Sequence, residues 1–294
     1  MTIRPRRSVL YLPGSNARAL EKASSLPADA LILDLEDAVA PEAKETARAQ
    51  VCAAVMAGGY GRREVVIRIN ALDTPWGQRD LDAAAGAAPD AILLPKPGNG
   101  TDIARATEAL ASAGAPDKTR LWAMIETPLA ILNLAEIAAA SKQPGARLAC
   151  FVMGTNDLVK ETRADLSRNR RPALYWLSAS ITAARAYGLD VLDGVYNNFK
   201  DIEGFRRECV HGRALGFDGK TLIHPDQVAI ANEVFAPPEA EVAFARKIIA
   251  AFDHPENRGK GVITVEGRMV ELLHAAMARR TVAIAEAIDA TRAS

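Results

Sequence analysis

Eight short apolar runs, alternating with alanine-rich amphipathic stretches along 294 residues, predict a TIM (β/α)₈ barrel with a C-terminal helical extension. The runs are partly β-branched, as strands of a parallel sheet buried on both faces are. A chain of this length accommodates one barrel and a small appendage. The predicted strands are 8–12, 30–35, 65–70, 91–95, 121–126, 148–153, 190–195 and 219–223.

Helix-like stretches follow these runs. Pro41 stands at the start of one, where proline is tolerated in a first helical turn. Gly216 stands at the end of another, a common position for glycine after a helix. The clearest predicted helices are 41–56, 128–140, 173–187 and 202–215.

The pattern changes after about residue 235. Pro237 and Pro238 open a helical stretch, a loop rich in glycine, arginine and lysine follows, and a final helix is predicted over about 269–290. A short polar stretch, 265–268, separates that loop from the helix and is typical of a docking arm or a lid. The predicted domains are a catalytic barrel, 1–236, and a helical extension, 237–294.

The composition narrows the class of partner. Thirty-six basic residues balance 36 acidic ones, so no overall field recruits nucleic acid or an anionic membrane. The N-terminal segment lacks a signal-peptide pattern, and no apolar run is long enough to span a bilayer. Three scattered cysteines, Cys52, Cys150 and Cys209, indicate buried small side chains in a reducing compartment. We therefore expect a soluble, cytoplasmic protein that binds a small molecule.

Polar residues fall at the ends of the predicted strands. Active sites of such barrels lie at the carboxyl ends of the strands, so these side chains are expected to converge on one rim. Buried ion pairs are an alternative for each of them. They are Asp34, Glu36, Asp37, Arg68, Asn70, Lys96, Glu126, Asn156, Asp157, Asp193 and His224.

Glu126 and Asp157 form the predicted metal site. Two carboxylates from adjacent strands suit Mg²⁺, which takes one or two protein carboxylates and fills its other positions with water and substrate oxygens. Zinc is disfavoured because the four histidines show neither H-x-x-x-H spacing nor neighbouring cysteines.

Arg68 lies in the apolar strand 65–70 and needs a neutralising anion there. Its guanidinium is suited to a substrate carboxylate or a developing enolate oxygen, and an internal ion pair with Asp34 or Glu36 is the structural alternative. The turn around Gly14 and Ser15 is a weaker candidate for phosphate binding. The chain lacks the glycine-rich fingerprints of dinucleotide and P-loop enzymes.

Four segments resemble one known family. They read Arg-Ser-Val-Leu-Tyr-Leu-Pro-Gly-Ser from Arg7, Leu-Asp-Leu-Glu-Asp-Ala-Val from Leu33, Met-Ile-Glu-Thr from Met124 and Gly-Phe-Asp-Gly-Lys-Thr-Leu-Ile-His-Pro from Gly216. In this order, across nearly the whole chain, they resemble the citrate lyase beta-subunit-like branch of the HpcH/HpaI aldolase superfamily, which includes malyl-CoA and citramalyl-CoA lyases. The resemblance implies a TIM barrel, Mg²⁺ held by a glutamate and an aspartate, and homo-oligomers, trimers or hexamers, in which the C-terminal extension packs on a neighbouring subunit.

The resemblance also implies roles for single residues. Glu126 and Asp157 match the family's metal ligands, Arg68 matches its substrate-binding arginine, and Tyr11 and Lys22 match positions that contact CoA. Glu126 would contact substrate as well, and Asp34, Glu36 and Asp37 would orient Arg68 and metal-bound water. Asn16 departs from the pattern, since some members have arginine there.

Glu271 is a second departure from the family pattern. The family commonly has an aspartate in a C-terminal Gly-x-Met-[IV]-Asp segment, which reaches a neighbouring subunit's site as catalytic acid or base, whereas Gly267-Arg268-Met269-Val270 leads here to Glu271. The extra methylene shifts the carboxylate by about 1 Å, which matters for proton transfer. Glu271 is the predicted catalytic base, with a solvated helix-start glutamate as the alternative.

The predicted function is therefore a Mg²⁺-dependent carbon–carbon lyase. It would cleave or condense a short 3-hydroxyacyl-CoA such as malyl-CoA, methylmalyl-CoA or citramalyl-CoA, giving glyoxylate or pyruvate and acetyl- or propionyl-CoA. The alternatives are a citrate lyase beta subunit acting on citryl-acyl carrier protein, a class II pyruvate aldolase, and a non-catalytic CoA-binding relative.

Overall fold

The computed structural model describes residues 3–167 and 169–292. Contacts divide the chain into two compact units, one of which is Arg6–Glu233 and the other the chain from Val234 onward with the residues before Arg6. The sequence placed its domain boundary three residues later, after residue 236. Each unit is described by itself below.

Eight parallel strands close into a barrel in the first unit, each hydrogen-bonded to the next in sequence order and the eighth to the first. The predicted TIM-type fold is thus confirmed, and each strand lies within two residues of its predicted position. The strands are β1 Ser8–Pro13, β2 Ala30–Asp34, β3 Glu64–Arg68, β4 Ala91–Leu94, β5 Arg120–Ile125, β6 Leu148–Met153, β7 Asp190–Asp193 and β8 Gly219–Leu222.

Helices follow the strands around the barrel. The predicted helix 128–140 is split into two at Asn133, whose side-chain amide donates to the Gly98 carbonyl at 2.7 Å and holds the break. The helices of this unit are α1 Ala17–Ala23, α2 Lys44–Ala57, α3 Gly77–Ala87, α4 Gly100–Ser112, α5 Pro128–Leu132, α6 Leu134–Ala139, α7 Thr155–Thr162, α8 Leu174–Ala186 and α9 Ile202–Leu215, with α10 Val228–Phe235 ending beyond its boundary.

The barrel interior is a packed core of alternate strand residues. Ile32, Val66 and Met124 belong to this buried cluster, and Trp122 lies below Met124 on the same strand. Because side chains two residues apart point to the same face of a strand, the next inward positions on β2 and β3 and just past β5 are polar. The core thus ends at the carboxyl rim in Asp34, Arg68 and Glu126.

The second unit contains a β-hairpin that the sequence analysis missed. The predicted polar stretch 265–268 is the turn between β9 Val262–Val265 and β10 Arg268–Glu271, which pair antiparallel. Glu266 and Gly267 at its tip have φ of 49° and 76°, as a two-residue hairpin turn requires. Along β9, the buried residues Ile263 and Val265 alternate with exposed ones and pack with residues of the neighbouring helices, so the apolar pattern repeats every two residues.

The hairpin also shortens the predicted final helix. That helix begins at Leu272, because the residues from Arg268 pair with β9 instead of turning into a helix. Glu271 is therefore the last residue of a strand and not the first turn of a helix. The two helices of this unit are α11 Glu239–Asp253 and α12 Leu272–Arg292. Among the described residues, no helix is both long and apolar enough to cross a bilayer.

Candidate active site

Arg68 is held at the rim by the carboxylate of Asp34. Its Nε and Nη2 each donate to one Asp34 oxygen at 2.6 Å, a bidentate pair between two adjacent strands. Asp34 also accepts the backbone N–H groups of Glu36 at 2.9 Å and Ala38 at 3.1 Å. One carboxylate thereby fixes both the guanidinium and the β2–α2 loop. The internal ion pair considered for Arg68 does form.

The remaining guanidinium nitrogen, Nη1, has weaker partners. It lies 2.8 Å from Glu36 Oε2, but that oxygen stands off the N–H direction and receives no hydrogen bond. Nη1 donates long hydrogen bonds to Oδ2 of the exposed Asp37 at 3.4 Å and to the Met124 sulfur at 3.7 Å. The guanidinium also lies over the Tyr11 ring, 5.0 Å from its centroid. Nη1 therefore donates only long hydrogen bonds, to Asp37 and to the Met124 sulfur, which a bound anion could replace.

Glu126 lies fully buried just past β5. Its Oε1 accepts the Lys96 backbone N–H at 3.0 Å, whereas Oε2 has no hydrogen-bond partner. Burial, with the charges of Glu36 and Asp157, raises the pKa of Glu126 to about 8. A buried carboxylate oxygen without a partner costs free energy unless a cation or a donor completes it.

Asp157 lies in the first turn of α7, half-buried, and its charge reaches Glu126. Within residues 3–167 and 169–292, no three His, Cys, Asp or Glu side chains group closely enough to hold a metal ion. A pair of carboxylates, one with an unpartnered oxygen, fits Mg²⁺ and its preference for water and substrate oxygens in the other positions. It does not fit a closed structural zinc site.

Gly154 packs directly against Glu126. A Cβ at this position would stand 2.3 Å from Glu126 Cβ and 2.7 Å from its Oε2. Such a clash cannot be relieved without moving the Glu126 side chain or the backbone that carries it.

Replacing Gly154 with alanine should therefore weaken divalent-cation binding. We expect a fall of about 10-fold or more, the size seen when groups that orient a metal ligand are lost. Calorimetric titration with Mg²⁺ measures the effect. Gly86→Ala is the matched control, because a Cβ there meets nothing within 4 Å, and equal affinities in the two variants would contradict the packing argument.

Two lysines complete the site. Sequence reasoning did not single out Lys44, which lies buried on α2 and donates to the carbonyls of Leu35 and Glu36 at 2.8 and 2.7 Å and to Asn70 Oδ1 at 2.8 Å. Its spacing is that of an ordinary helix, so the sequence carries no signal for it. Lys96, a predicted rim residue, contacts Glu36 Oε1 through Nζ at 3.2 Å.

The turn between β1 and α1, the weaker candidate for phosphate binding, packs closely against the barrel. Gly14 donates to the Asp34 carbonyl at 2.8 Å, and a Cβ there would lie 2.6 Å from that oxygen. Asn16 caps α1 by accepting the Ala19 N–H. Lys22 is exposed in the last turn of α1, and Tyr11 is half-buried at the rim. The structure brings Tyr11 together with Arg68; it gives no contact that joins Lys22 to the site.

The sequence analysis grouped Asp193 with the side chains expected to converge on one rim of the barrel. In the structure, Asp193 does not face the barrel interior. Leu192 is the interior residue of β7, so Asp193 points outward between the wall and the helices. There it accepts Lys220 Nζ at 3.0 Å and both Nη groups of Arg170, one at 2.9 Å. Lys220 also donates to Glu208 Oε1 at 2.7 Å. This second cluster, Asp193–Lys220–Arg170–Glu208, ties the loop after α7 to the barrel.

The fold and rim define a TIM-barrel protein with an acidic centre suited to a divalent cation and an anionic substrate. The chain belongs to the HpcH/HpaI aldolase/citrate lyase family, which residues 7–225 match.

Relatives cover the chain almost end to end. It is 51% identical over 290 residues to a (3S)-malyl-CoA thioesterase of Cereibacter sphaeroides, covering 99% of this chain and 98% of that protein. It is 37% identical to the citrate lyase subunit beta of Escherichia coli, over 91% and 89% of the two chains. A crystal structure of CitE from Mycobacterium tuberculosis with magnesium, acetoacetate and coenzyme A has a TM-score of 0.72 and 31% identity, covering 94% of this chain and 97% of that one. The predicted family is thus confirmed.

Proposed function

We propose that this protein is a Mg²⁺-dependent enzyme acting on malyl-CoA, and that its main reaction is hydrolysis of the thioester to malate and free CoA. The observation that carries this proposal is the 51% identity, over 99% of the chain, to a protein named for that substrate and reaction. The magnesium and coenzyme A in the CitE structure support the choice of ligands.

Glu126 and Asp157 would hold the cation. The unpartnered Glu126 Oε2 is the oxygen available to it, since Oε1 is taken by the Lys96 N–H. Bound magnesium would supply Lewis-acid polarisation of substrate oxygens. Through this cation, Glu126 would also take part in binding the end of the substrate that carries the carboxylate and the hydroxyl group.

Arg68 would stabilise negative charge on the thioester oxygen. Its Nε and Nη2 donate to Asp34, so the guanidinium is fixed in direction, while the long hydrogen bonds of Nη1 to Asp37 and Met124 can give way to a bound anion. Fixed donors aimed at a developing oxyanion are an effective catalytic device because they need no reorganisation during the reaction. Tyr11, under the same guanidinium, and Lys22 would contact the CoA arm, as the family resemblance implies.

Two reactions of malyl-CoA develop negative charge on the thioester oxygen. In hydrolysis, water adds to the thioester carbon, the C–S bond breaks, and a proton goes to the leaving CoA sulfur. In carbon–carbon cleavage, a base takes the hydroxyl proton, the bond between the carbinol carbon and the methylene breaks, and the thioester enolate is protonated to acetyl-CoA, leaving glyoxylate. Arg68 would serve both reactions.

Carbon–carbon cleavage, the reaction predicted from the sequence, is the second candidate. It is favoured by the 37% identity to citrate lyase beta subunits and by the lyases of the family. The enzyme would then release glyoxylate from malyl-CoA, or pyruvate from citramalyl-CoA.

One product assay separates the candidates. Purified protein is incubated with malyl-CoA, with and without Mg²⁺, while free thiol and 2-oxo acid are measured separately. We expect Mg²⁺-dependent thiol release with malate as the co-product. Glyoxylate formed in step with acetyl-CoA would overturn hydrolysis in favour of the lyase. Silence with malyl-CoA and turnover of citryl-acyl carrier protein would overturn both, and CoA binding without turnover of any thioester would identify a non-catalytic relative.

Glu271 is our proposed base for either reaction, supplied by a neighbouring copy in a homotrimer or hexamer. Its carboxylate stands at the end of β10, half-buried, at the position that the family motif gives to an aspartate. A hairpin strand is a rigid support for a catalytic side chain compared with a loop.

Replacing Glu271 with glutamine should lower turnover by about 10²–10⁴-fold, the usual contribution of a positioned acid or base. Mg²⁺ affinity should stay unchanged because Glu271 is not a proposed ligand. Turnover and calorimetry on the same preparation check both statements. Glu256→Gln, exposed in the same unit, is the control, and wild-type turnover of Glu271→Gln would refute the role.

A further inference from the structure

A buried charge cluster lies outside the barrel interior and takes no part in the proposed chemistry. It is the second cluster described above, in which Asp193 and Lys220 are both fully buried. The three N–H groups of the Lys220 ammonium donate to Asp193 Oδ2 at 3.0 Å, to Glu208 Oε1 at 2.7 Å and to the Gly194 carbonyl. Burying two charges is costly, and in some proteins such pairs are retained because they fix one conformation.

This cluster holds Gly194 on both sides of its Cα. The Gly194 N–H donates to Asp193 Oδ1 at 2.8 Å, and its carbonyl accepts Lys220 Nζ. The Asp193 carbonyl also accepts Thr221 Oγ1 at 3.0 Å, so two neighbouring residues of β8 anchor the segment. The backbone just after β7 therefore has little freedom to move.

Thr155, the first residue of α7, packs against Gly194. A Cβ at Gly194 would lie 2.6 Å from Thr155 Oγ1, 2.9 Å from Thr155 Cγ2 and 2.9 Å from the Met153 carbonyl oxygen. Gly194 does not have the positive φ that favours glycine. It is therefore the close approach of α7 that requires a residue without a side chain here.

The contact lies beside a proposed metal ligand. Asp157 follows Thr155 by two residues, and the Leu158 N–H closes the same first turn of α7 on the Gly154 carbonyl at 3.2 Å. Because the two side chains belong to one closed helical turn, a displacement of Thr155 carries Asp157 with it.

Two more contacts fix the start of α7. The amides of Asn156 and Asn197 exchange hydrogen bonds at 2.8 and 3.3 Å, which join α7 to the segment after β7 a second time. Gly154 packs against Glu126, the other proposed ligand. The start of α7 is thus in contact both with Glu126 and with the segment after β7.

We propose that Gly194 is a positioning residue that sets the place of Asp157 through its contact with Thr155. Asp193 and Lys220 act behind it by holding the Gly194 peptide. This inference rests on the proposed function, which makes Asp157 a cation ligand. The competing explanation is that the cluster and the contact stabilise the fold and have no effect on the cation site.

Replacing Gly194 with alanine should weaken Mg²⁺ binding about 10-fold, as when other groups that orient a metal ligand are lost. The added methyl group presses on Thr155, which is β-branched and buried and so has few rotamers with which to yield. Adding Thr155→Ala removes Oγ1 and Cγ2 and should restore most of the affinity, as expected of residues in direct contact. The contact with the Met153 carbonyl is common to both variants, so it cannot cause this difference.

Thr155→Ala alone adds no clash. We expect it to weaken Mg²⁺ binding only about threefold, because the gap that it leaves loosens the contact without forcing α7 aside. The double variant should match it. Thr162→Ala is the control, since it changes the same residue type at the exposed end of α7 and should leave the affinity unchanged.

Calorimetry with Mg²⁺ alone measures these affinities, and urea denaturation of the same preparations gives the free energy of unfolding. A loss in Gly194→Ala that Thr155→Ala reverses supports the inference. Wild-type affinity in Gly194→Ala, even with a lower free energy of unfolding, overturns it and leaves the proposed function standing. A loss that the second substitution does not reverse also overturns it, because the effect would not pass through Thr155.

Two further outcomes are decisive. If Gly194→Ala does not fold, Thr155→Ala decides alone: weaker binding supports the inference, and unchanged binding overturns it. If wild type shows no Mg²⁺ affinity, the proposed metal site itself is refuted, and this inference with it.

Discussion

Replacing Glu126 with glutamine should abolish Mg²⁺ binding and reduce turnover of malyl-CoA by at least about a hundredfold, more than the 10–100-fold that follows loss of a group merely supporting a ligand. The amide keeps the shape of the side chain and removes its negative charge, on which binding of a hard divalent cation depends. Glu126 is fully buried, so no water-exposed carboxylate can replace it without rearrangement.

The measurement is calorimetric titration with Mg²⁺, followed by assays over a range of Mg²⁺ concentrations. Asp157→Asn should behave in the same way, because it is the other proposed ligand. Glu161→Gln is the matched control, since Glu161 is exposed on the helix that carries Asp157. Wild-type Mg²⁺ affinity in Glu126→Gln would exclude it as a ligand, whatever the kinetics.

Replacing Asp193 with asparagine should destabilise the barrel by about 3–5 kcal/mol, the cost of breaking a buried ion pair from one side. Asp193 and Lys220 are both fully buried, and Arg170 binds the same carboxylate. Without the aspartate, Glu208 is the carboxylate left to both cations, and its separation from Arg170 is 3.8 Å.

Urea denaturation followed by tryptophan fluorescence gives the free energy of unfolding. The comparison variant is Glu233→Gln, which breaks the exposed bidentate pair with Arg206 and should change that free energy far less, because water screens exposed pairs. Similar losses in the two variants would show that the Asp193 cluster contributes no more than a surface pair.

Lowering the pH should reduce the free energy of unfolding partly by protonating the Asp193 carboxylate. Burial alone would raise the pKa of Asp193, but Lys220 and Arg170 outweigh it and hold the pKa below its ordinary value. A carboxyl whose folded-state pKa is lowered stabilises the protein above its unfolded pKa, and this contribution is lost as the pH falls through the folded value. The free energy of unfolding of wild type should therefore drop more steeply below about pH 4 than that of Asp193→Asn.

The barrel was predictable because short β-branched runs separated by amphipathic stretches have few other solutions. The charged side chains at the rim were partly predictable, because they follow the apolar runs directly in the sequence. Arg68, Asp34 and Glu126 stand at strand ends, and the structure brings Asp34 and Arg68 into contact. The assignment of Glu126 and Asp157 to a metal stays a prediction, which the experiments above test.

Other features had weaker signals. In strands that are apolar on both faces, the sequence does not reveal which alternate set points inward, so Asp193 was grouped with the rim residues. The left-handed backbone of Lys96, whose φ is 52°, corresponds to no motif that the sequence analysis could use. The hairpin did carry a signal, since Glu266-Gly267 stands between two alternating segments, but the expectation of a helix after Arg268 concealed it.

The site has two parts: the pair Asp34–Arg68 lies on strands of the barrel, whereas other site residues lie in the segments that connect strands to helices. Asp34 and Arg68 are direct partners in the register of β2 and β3, so the anion-binding guanidinium is built into the barrel wall itself. Asp157 begins a helix beyond β6, and Lys96 lies in the connection after β4, so these groups belong to connecting segments. Chimeric proteins that exchange such connections between relatives should therefore retain recognition of the thioester oxygen while changing the acyl group accepted. Proteins of this fold can therefore change their substrate range by exchanging connecting segments while the barrel strands stay the same.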